Sequence, residues 1–232
     1  MSHYPNFHSF MFPDVLRDKW QMCASEQIAL TGVLARLQPK LALEIGVYWG
    51  GSLSLTAQFS TEVIAIDIDP EIQNRFAIPA NADLRIGNSV DLIPRILSEI
   101  KNAGKALEYV LIDADHSAAA VRRDIELVLA YEPVTPMVLL MHDSGNPDCR
   151  QGMLSANWEA SPFVQYVDCD FVPGQVIEHS VADNRGEVWG GLAIAYLTPE
   201  KRTGNIVVTQ SARASISAAH AFAEGRIPVQ VP

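Results

Sequence analysis

Two short polar runs contain the side chains best suited to hold a metal ion. Asp113 and Asp115 lie in the run Asp-Ala-Asp-His that ends at His116, and His142 directly precedes Asp143. Each run follows a short apolar segment, which is typical of a buried strand. Carboxylate oxygens are ligands for hard cations such as Mg²⁺, whereas an imidazole nitrogen among them also admits Mn²⁺, Fe²⁺ or Zn²⁺. The two runs together are a candidate site for a divalent metal ion.

His116 is also a candidate general base. It stands next to Asp115, where a strand gives way to a helix. Because a histidine titrates near neutral pH, it can take a proton from an acceptor hydroxyl group. The structural alternative is that His116 only bonds the first residues of the helix that follows.

A glycine-rich run from Gly46 to Ser52 could bind a nucleoside. Glycines let the backbone approach a ligand, and the helix that follows offers free N–H groups. The run departs from the GxGxxG fingerprint of nicotinamide-binding proteins, because Tyr48 stands where the second glycine normally admits a pyrophosphate. Glu44, which precedes the run, is unfavourable beside phosphates but suits a cation. A tight turn without a ligand is the structural alternative.

Further polar residues follow the second and third apolar runs. Asp67 stands 21 positions after Gly46, where a carboxylate can accept both hydroxyl groups of a ribose. Asp69 is expected to cap the next helix. Asn88 and Ser89 could bond an adenine edge or cap a helix themselves. These residues together predict a nucleoside with a positive charge and no phosphate, a description that S-adenosylmethionine fits.

The elements that position these residues alternate regularly along the chain. Continuous apolar strands alternating with amphipathic helices indicate a parallel sheet that is covered on both faces. We therefore expect an α/β fold with a Rossmann-like, doubly wound, seven-stranded and mostly parallel sheet. Its carboxyl edge gathers the polar runs, since ligands bind there in open parallel sheets. The predicted strands lie at 41–45, 63–66, 83–86, 109–112, 137–141, 163–167 and 188–197, with later helices at 151–158 and 211–223.

Composition limits the partners and the compartment. The chain has 232 residues and a net charge of −10, so nucleic acid and anionic membrane surfaces are poor partners. No apolar run approaches the roughly 18 residues that a spanning helix needs, and the N-terminus lacks a secretory signal. Three widely spaced cysteines do not form a disulfide framework. We expect a cytoplasmic protein with a small-molecule acceptor.

The domain organisation follows from the same patterns. We expect one sheet domain over residues 22–197, with an aromatic N-terminal arm at 1–21 and an appendage at 198–232. A homodimer is consistent with an arm and a tail that cover a neighbouring copy.

Residues 41–143 resemble a class I S-adenosylmethionine-dependent methyltransferase. The resemblance rests on the ordered pieces ExGxxxGGS, IDxDP, GNS, IDADHS and HDS. The last two pieces are similar, more narrowly, to the metal-dependent sugar O-methyltransferases of macrolide and aminocoumarin biosynthesis. The resemblance implies methyl transfer to a hydroxyl group of a sugar or natural-product-like small molecule, with metal assistance.

The resemblance also implies roles for single residues. S-adenosylmethionine and a divalent metal ion, with Mg²⁺ favoured, would be the cofactors. Asp113 and Asp143 would be metal ligands and Asp115 the general base, with His116 as the alternative base. His142 stands where the relatives usually carry a carboxylate, so it is predicted as a ligand or as a group behind the ligands. Cofactor contacts are predicted for Glu44, Gly46, Tyr48, Gly50, Ser52, Asp67, Ile68, Asn88, Ser89 and Asp113.

Two other functions fit parts of the pattern. One is a metal-independent methyltransferase of the same fold, in which the acidic cluster only tunes a base. The other is a metal-dependent hydrolase or phosphoesterase built on the DxDH and HD runs, although such matches are common among unrelated proteins. We expect the acceptor to enter near Tyr48, Trp49, Trp158 and the loop 172–187. The run from Trp189 to Gly191 could also line this entrance, although Trp189 itself is interpreted as a core aromatic beside a glycine bend.

Overall fold

The computed structural model describes residues 20–177 and 186–225. Residues 1–19 of the expected arm, positions 178–185 of the expected acceptor loop, and residues 226–232 of the tail lie outside the described residues. The arm, the domain boundaries and the homodimer stay predictions.

The described elements follow the predicted alternation of strands and helices. The helices are α1 (Ala24–Leu37), α2 (Gly51–Phe59), α3 (Ser89–Asn102), α4 (Ala118–Val128), α5 (Pro147–Ser155) and α6 (Arg213–Ala223), with 3-10 helices at Pro70–Asn74 and Trp158–Ala160. The strands are β1 (Leu41–Ile45), β2 (Glu62–Asp67), β3 (Ala82–Ile86), β4 (Tyr109–Ile112), β5 (Met137–His142), β6 (Val164–Val172), β7 (Gln175–Val176), β8 (Val188–Trp189), β9 (Leu192–Leu197) and β10 (Val208–Thr209).

The main sheet of the described residues has the strand order β10-β6-β9-β5-β4-β1-β2-β3. Strand β9 runs antiparallel to β5 and β6, and the other neighbouring pairs in this sheet are parallel. The predicted Rossmann-like class is confirmed, but the sheet has eight strands rather than seven. The additional strand is β10, which pairs with Val167 and Asp168 of β6. A two-residue strand is too short to produce a hydrophobic pattern, so the sequence did not reveal it.

Helices bury the sheet on both faces. One core cluster joins Leu43 of β1 to Ile96 of α3 and to side chains of α4. A second cluster joins Ala42 of β1 to Leu34 of α1 and Leu55 of α2. Strands buried on both sides read as continuous apolar runs, which is why the sequence located them. Their carboxyl ends remain accessible at one edge of the sheet.

Capping chemistry shifts one helix from its predicted position at 151–158. Asn146 accepts the backbone N–H of Asp148 at 2.9 Å, which starts α5 earlier than the apolar pattern suggested. Trp158 consequently lies outside this helix and in the core, where its indole N–H donates to the Met153 carbonyl at 2.8 Å. The expected position of Trp158 at the acceptor entrance is therefore wrong.

The predicted strand at 188–197 is divided by two glycines. Gly190 and Gly191 have φ values of 71° and 88°, a left-handed conformation that interrupts a strand. The first part, β8, pairs with β7 in a separate two-stranded sheet. The second part, β9, belongs to the main sheet. The glycines thus turn the chain beside the carboxyl end of β5.

Across residues 20–177 and 186–225, no helix has both the length and the apolar character needed to cross a bilayer.

Candidate active site

A cavity of about 750 Å³ lies at the carboxyl ends of β1 to β5. Most of the predicted site residues line it, and they come from five separate segments of the chain. The predicted residues in its wall are Gly46, Tyr48, Asp67, Ile68, Asn88, Ser89, Asp113, Asp115, His116, His142 and Asp143. Gln175 and Ile177, from the expected acceptor loop 172–187, and Trp189 also line it. Glu26, Arg123 and Asp124 line it without having been expected there.

Asp67 holds the loop that follows β1. Its Oδ2 accepts the backbone N–H groups of Val47 and Tyr48 at 2.9 and 3.1 Å, and its Oδ1 accepts the N–H of Asp69 at 2.9 Å. A carboxylate offers about four acceptor positions, so Asp67 retains capacity for a ligand hydroxyl group. Tyr48 has a left-handed φ of 52°, and its side chain projects outward beside the cavity.

Gly46 permits close contact between β1 and β4. Its φ is 91°, and a Cβ at this position would lie 1.9 Å from the Asp113 carbonyl oxygen. Only glycine can occupy the position without moving one strand end. Gly50 meets a different constraint, because a Cβ there would lie 2.3 Å from the ring of Phe76.

Glu44 lies beneath the loop and outside the described cavity wall. Its side chain is fully buried, and it accepts hydrogen bonds from Ser52 Oγ at 2.7 Å and Thr56 Oγ1 at 3.0 Å. Burial raises the pKa of Glu44 to about 8, so the group is mainly neutral at pH 7. Glu44 and Ser52 therefore brace the loop, as Gly50 does through its packing. The direct cofactor contacts of these three residues stay predictions.

The segment after β3 contributes a polar pair to the cavity wall. Asn88 Oδ1 accepts the N–H of Val90 at 3.0 Å, which confirms that it caps α3. Ser89 Oγ donates to Asp124 Oδ1 at 2.8 Å. Burial raises the pKa of Asp124. The exposed side chain of Ile68 supplies an apolar surface to the same cavity.

Asp113, His116 and Asp143 form the metal-competent group of the described residues. Their ligand atoms all lie within 4.8 Å of one another. His116 Nε2 is 3.0 Å from Asp143 Oδ2 and 3.7 Å from Asp113 Oδ1. Hydrogen bonds to the two carboxylates raise the pKa of His116 to about 10. Two carboxylates and one imidazole are a donor set that suits a divalent cation.

His142 connects this group to the helix α1. Its Nδ1 lies 3.0 Å from Asp113 Oδ1, and its Nε2 lies 3.1 Å from Glu26 Oε1. Burial opposes the charge on the ring, but the neighbouring carboxylates raise the pKa of His142 well above its ordinary value. Both ring nitrogens therefore face carboxylates. This arrangement supports a position behind the ligands, and the predicted ligand role of His142 stays a prediction.

The two candidate bases have different surroundings. Asp115 Oδ1 accepts the N–H of Ser117 at 2.8 Å, and hydrogen bonds from Ser117 lower the pKa of Asp115. His116 instead directs Nε2 at the two carboxylates and packs edge-on against Trp189, with ring centroids 5.5 Å apart. Trp189 lines the cavity, so its interpretation as a core aromatic is wrong. The geometry favours His116 as the residue that meets an acceptor.

Asp143 itself adopts an uncommon backbone conformation. Its φ is 58°, a left-handed value that aspartate and asparagine tolerate better than most residues. Burial and the hydrogen bond from the Gly190 N–H to Asp143 Oδ1 at 2.8 Å hold it in place. Strained residues of this kind cluster at functional sites.

Neither Glu26 nor the contact of the Gly190-Gly191 turn with Asp143 was indicated by the sequence. Glu26 stands three residues after Cys23, in the first turn of α1, where an acidic residue is also expected for capping alone. The glycine pair had no polar neighbour in the sequence that indicated a contact with Asp143. From the sequence alone, Glu26 could not be distinguished from an ordinary helix-capping residue, nor the glycine pair from an ordinary turn.

Comparison with known sequences gives one family match. The family model described as Rhamnosyl O-methyltransferase/CmcI matches residues 13–144. No curated protein sequence matches the chain.

Solved structures share the fold at low sequence identity. The O-methyltransferase from Bacillus cereus in complex with SAH is 15% identical, with 78% of this chain and 85% of that chain covered and a TM-score of 0.55. The O-methyltransferase TomG from Streptomyces achromogenes, involved in tomaymycin synthesis and in complex with SAM, is 16% identical, with 82% and 85% covered and a TM-score of 0.55. At these identities the likeness shows the fold alone.

Proposed function

The chain belongs to the Rhamnosyl O-methyltransferase/CmcI family and is an S-adenosylmethionine-dependent O-methyltransferase, and we propose that it methylates a hydroxyl group of a sugar or natural-product-like small molecule with the help of a divalent metal ion. The observation that carries the proposal is the adjacency of two half-sites in one cavity. A nucleoside-type loop follows β1, and a metal-competent group lies at the ends of β4 and β5.

The nucleoside half would receive the methyl donor. The cavity volume of about 750 Å³ lies within the roughly 300–1,000 Å³ of small-molecule sites. Asp67 would accept ribose hydroxyl groups with its remaining acceptor capacity, and Ile68 would cover one face of the base. Ser89 and Asp124 offer polar atoms to the base edge. S-adenosylmethionine supplies an activated methyl group, so the chain mainly has to align donor and acceptor.

The metal half would hold the acceptor. Asp113 and Asp143 would provide carboxylate ligands, and both lie in the cavity wall. A bound divalent cation lowers the pKa of a hydroxyl group that coordinates it and orients that group. Mg²⁺ and Mn²⁺ both suit these carboxylates, and the nearby imidazole leaves the identity of the metal to experiment.

His116 would take the proton of the acceptor hydroxyl group once a divalent cation has taken over Asp113 and Asp143, because these carboxylates keep the ring protonated in the metal-free chain. Its side chain is 45% exposed, whereas that of Asp143 is 7% exposed, so an acceptor can reach the ring. Trp189, Gln175 and Ile177 form the wall on the same side, and this mixture of aromatic, amide and aliphatic groups suits a hydroxylated ring. The family description includes a rhamnosyl acceptor, and TomG acts in natural-product synthesis, which supports the same acceptor class.

Two measurements test the proposal. Titration calorimetry with S-adenosylhomocysteine should show binding that persists in EDTA, since the nucleoside half contains no metal ligand except Asp113. Methyl transfer from S-adenosylmethionine to a panel of glycosylated acceptors should be lost in EDTA and restored by Mg²⁺ or Mn²⁺. An absence of nucleoside binding would overturn the donor assignment. Transfer that ignores the chelator would favour the metal-independent methyltransferase.

A further inference from the structure

Glu26 is a buried carboxylate whose contacts reach the metal-competent group from another part of the fold. Its side chain is 2% exposed. Oε2 accepts the backbone N–H of Cys23 at 2.5 Å. Oε1 accepts the N–H of Gly191 and lies 3.1 Å from His142 Nε2. One side chain therefore joins the start of α1, the end of β5 and the turn between β8 and β9.

The turn at Gly190 and Gly191 holds two carboxylates with consecutive N–H groups. Gly190 N–H donates to Asp143 Oδ1 at 2.8 Å, and Gly191 N–H donates to Glu26. A Cβ at Gly190 would lie 2.8 Å from Glu26 Oε1, and a Cβ at Gly191 would lie 2.7 Å from the backbone nitrogen of Gly174. The turn thus approaches both carboxylates as closely as it does because its residues are glycines.

These contacts form two supports for the two carboxylates assigned to the metal. Glu26 fixes the ring of His142, and the other nitrogen of that ring lies 3.0 Å from Asp113 Oδ1. The glycine turn, itself held by Glu26, fixes Asp143. Partners behind metal ligands orient those ligands, and their removal typically weakens metal binding about 10- to 100-fold.

We propose that Glu26 is a positioning residue that prearranges Asp113, through His142, and Asp143, through the Gly190-Gly191 turn, for a divalent cation. The inference rests on the proposed function, since it needs a metal ion at these carboxylates. The competing explanation is that Glu26 only caps α1 through Cys23. A capping role would contribute to stability and leave metal affinity unchanged.

The experiment measures Mn²⁺ affinity without turnover, from the free-Mn²⁺ signal in electron paramagnetic resonance. The full chain is compared with Glu26→Ala, Glu26→Gln and the control Asp168→Asn. Asp168 is a buried carboxylate that accepts N–H groups of Asp170 and Ser211 away from the cavity. Unfolding midpoints and circular dichroism of every variant show that it is folded. Glutamine keeps the size of the side chain and one acceptor oxygen for His142 and Gly191.

We expect Glu26→Ala to raise the Mn²⁺ dissociation constant about 10- to 100-fold and Glu26→Gln, which loses the charge beside His142, to raise it by a smaller factor of about three to ten. Asp168→Asn should match the wild type. A Mn²⁺ dissociation constant equal to that of the wild type in every folded variant would overturn the inference and leave the proposed function intact. If the wild-type chain itself fails to bind Mn²⁺ or Mg²⁺, the metal part of the proposed function is wrong, and the inference with it. If the alanine variant does not fold, the comparison of the glutamine variant with Asp168→Asn decides: affinity equal to the control contradicts the inference.

Discussion

The backbone N–H of Gly190 donates a hydrogen bond to Asp143 Oδ1 across 2.8 Å, although the two residues are 47 positions apart in the chain. The contact holds Asp143 in a left-handed conformation with a φ of 58°. An anionic side chain is thereby fixed at the carboxyl end of β5, with its second oxygen 3.0 Å from His116 Nε2.

Asp143→Asn should separate the two half-sites of the cavity. Asparagine tolerates the left-handed backbone and keeps an oxygen for the Gly190 N–H, but it removes the anionic ligand. We expect metal-stimulated methyl transfer to fall at least about 100-fold, in line with the loss of a metal-held acceptor, while S-adenosylhomocysteine affinity stays within about threefold of wild type. Calorimetry and a transfer assay measure the two quantities. Nucleoside binding that collapses in the folded variant would contradict the division into two halves.

His116→Asn and Asp115→Asn should differ in their effect on turnover. Because His116 faces the carboxylates and Trp189 while Asp115 is bonded to the Ser117 N–H, only the first variant removes the proposed proton acceptor. A general base contributes about 10²–10⁴-fold, so kcat should fall by that factor in His116→Asn and by less than about tenfold in Asp115→Asn. The opposite order would return the base role to Asp115. Mn²⁺ affinity of both variants, measured beside kcat, shows whether His116 acts as a ligand instead.

Glu44→Gln should change how stability depends on pH. The pKa of Glu44 is raised from 4.5 to about 8 in the folded chain, so between these values the folded state binds more protons than the unfolded state. The unfolding free energy therefore falls as the pH rises from about 4.5 to 8 and then levels off. Glutamine cannot ionise, so the unfolding midpoint of the variant relative to wild type should increase from pH 5 to pH 8.

The control for this series is Glu126→Gln. Glu126 is a partly exposed carboxylate whose pKa is lowered by its hydrogen bond with Arg122. The unfolding midpoint of Glu126→Gln relative to wild type should therefore not increase from pH 5 to pH 8. Equal pH profiles for Glu44→Gln and the wild type would show that Glu44 is ionised in the folded chain.

Gly46→Ala and Gly32→Ala should change the stability of the folded chain in opposite directions. At Gly46, a left-handed φ costs an alanine about 1–2 kcal/mol, and its Cβ would also overlap the Asp113 carbonyl. We expect a lower unfolding midpoint and weaker S-adenosylhomocysteine binding. At Gly32, inside α1, no atom lies within 4 Å of the added Cβ, so alanine should stabilise the helix by about 0.5–1 kcal/mol. Differential scanning calorimetry measures the unfolding midpoint of both variants. An unchanged midpoint in Gly46→Ala would refute the close approach of β1 and β4.

The regular alternation of elements allowed much of the fold and part of the site to be predicted from the sequence. Strands buried on both faces are continuous apolar runs, so β1, β4 and β5 could be located from the hydrophobic pattern. Since parallel strands end at one edge of the sheet, Asp67, Asp113 and Asp143 could be placed at that edge before any contact was known. The family resemblance rested on those same strand ends.

Contacts between distant segments could not be read from the sequence. Glu26 contacts His142 although the two residues are 116 positions apart in the chain, and no local sequence pattern indicates such a contact. Side-chain direction could not be predicted either. His116 turns toward Asp143 in another strand end, whereas its neighbour Asp115 turns back toward Ser117, and two buried hydroxyl groups keep Glu44 beneath the loop.

The sequence by itself determined which strand ends carry the polar residues, because hydrophobic periodicity fixes the strands and the parallel sheet fixes their common edge. Only the tertiary structure decided which of those residues face one another. The physical reason is that packing between α1, β5 and the Gly190-Gly191 turn sets rotamers and hydrogen bonds, and these depend on segments far apart in the chain.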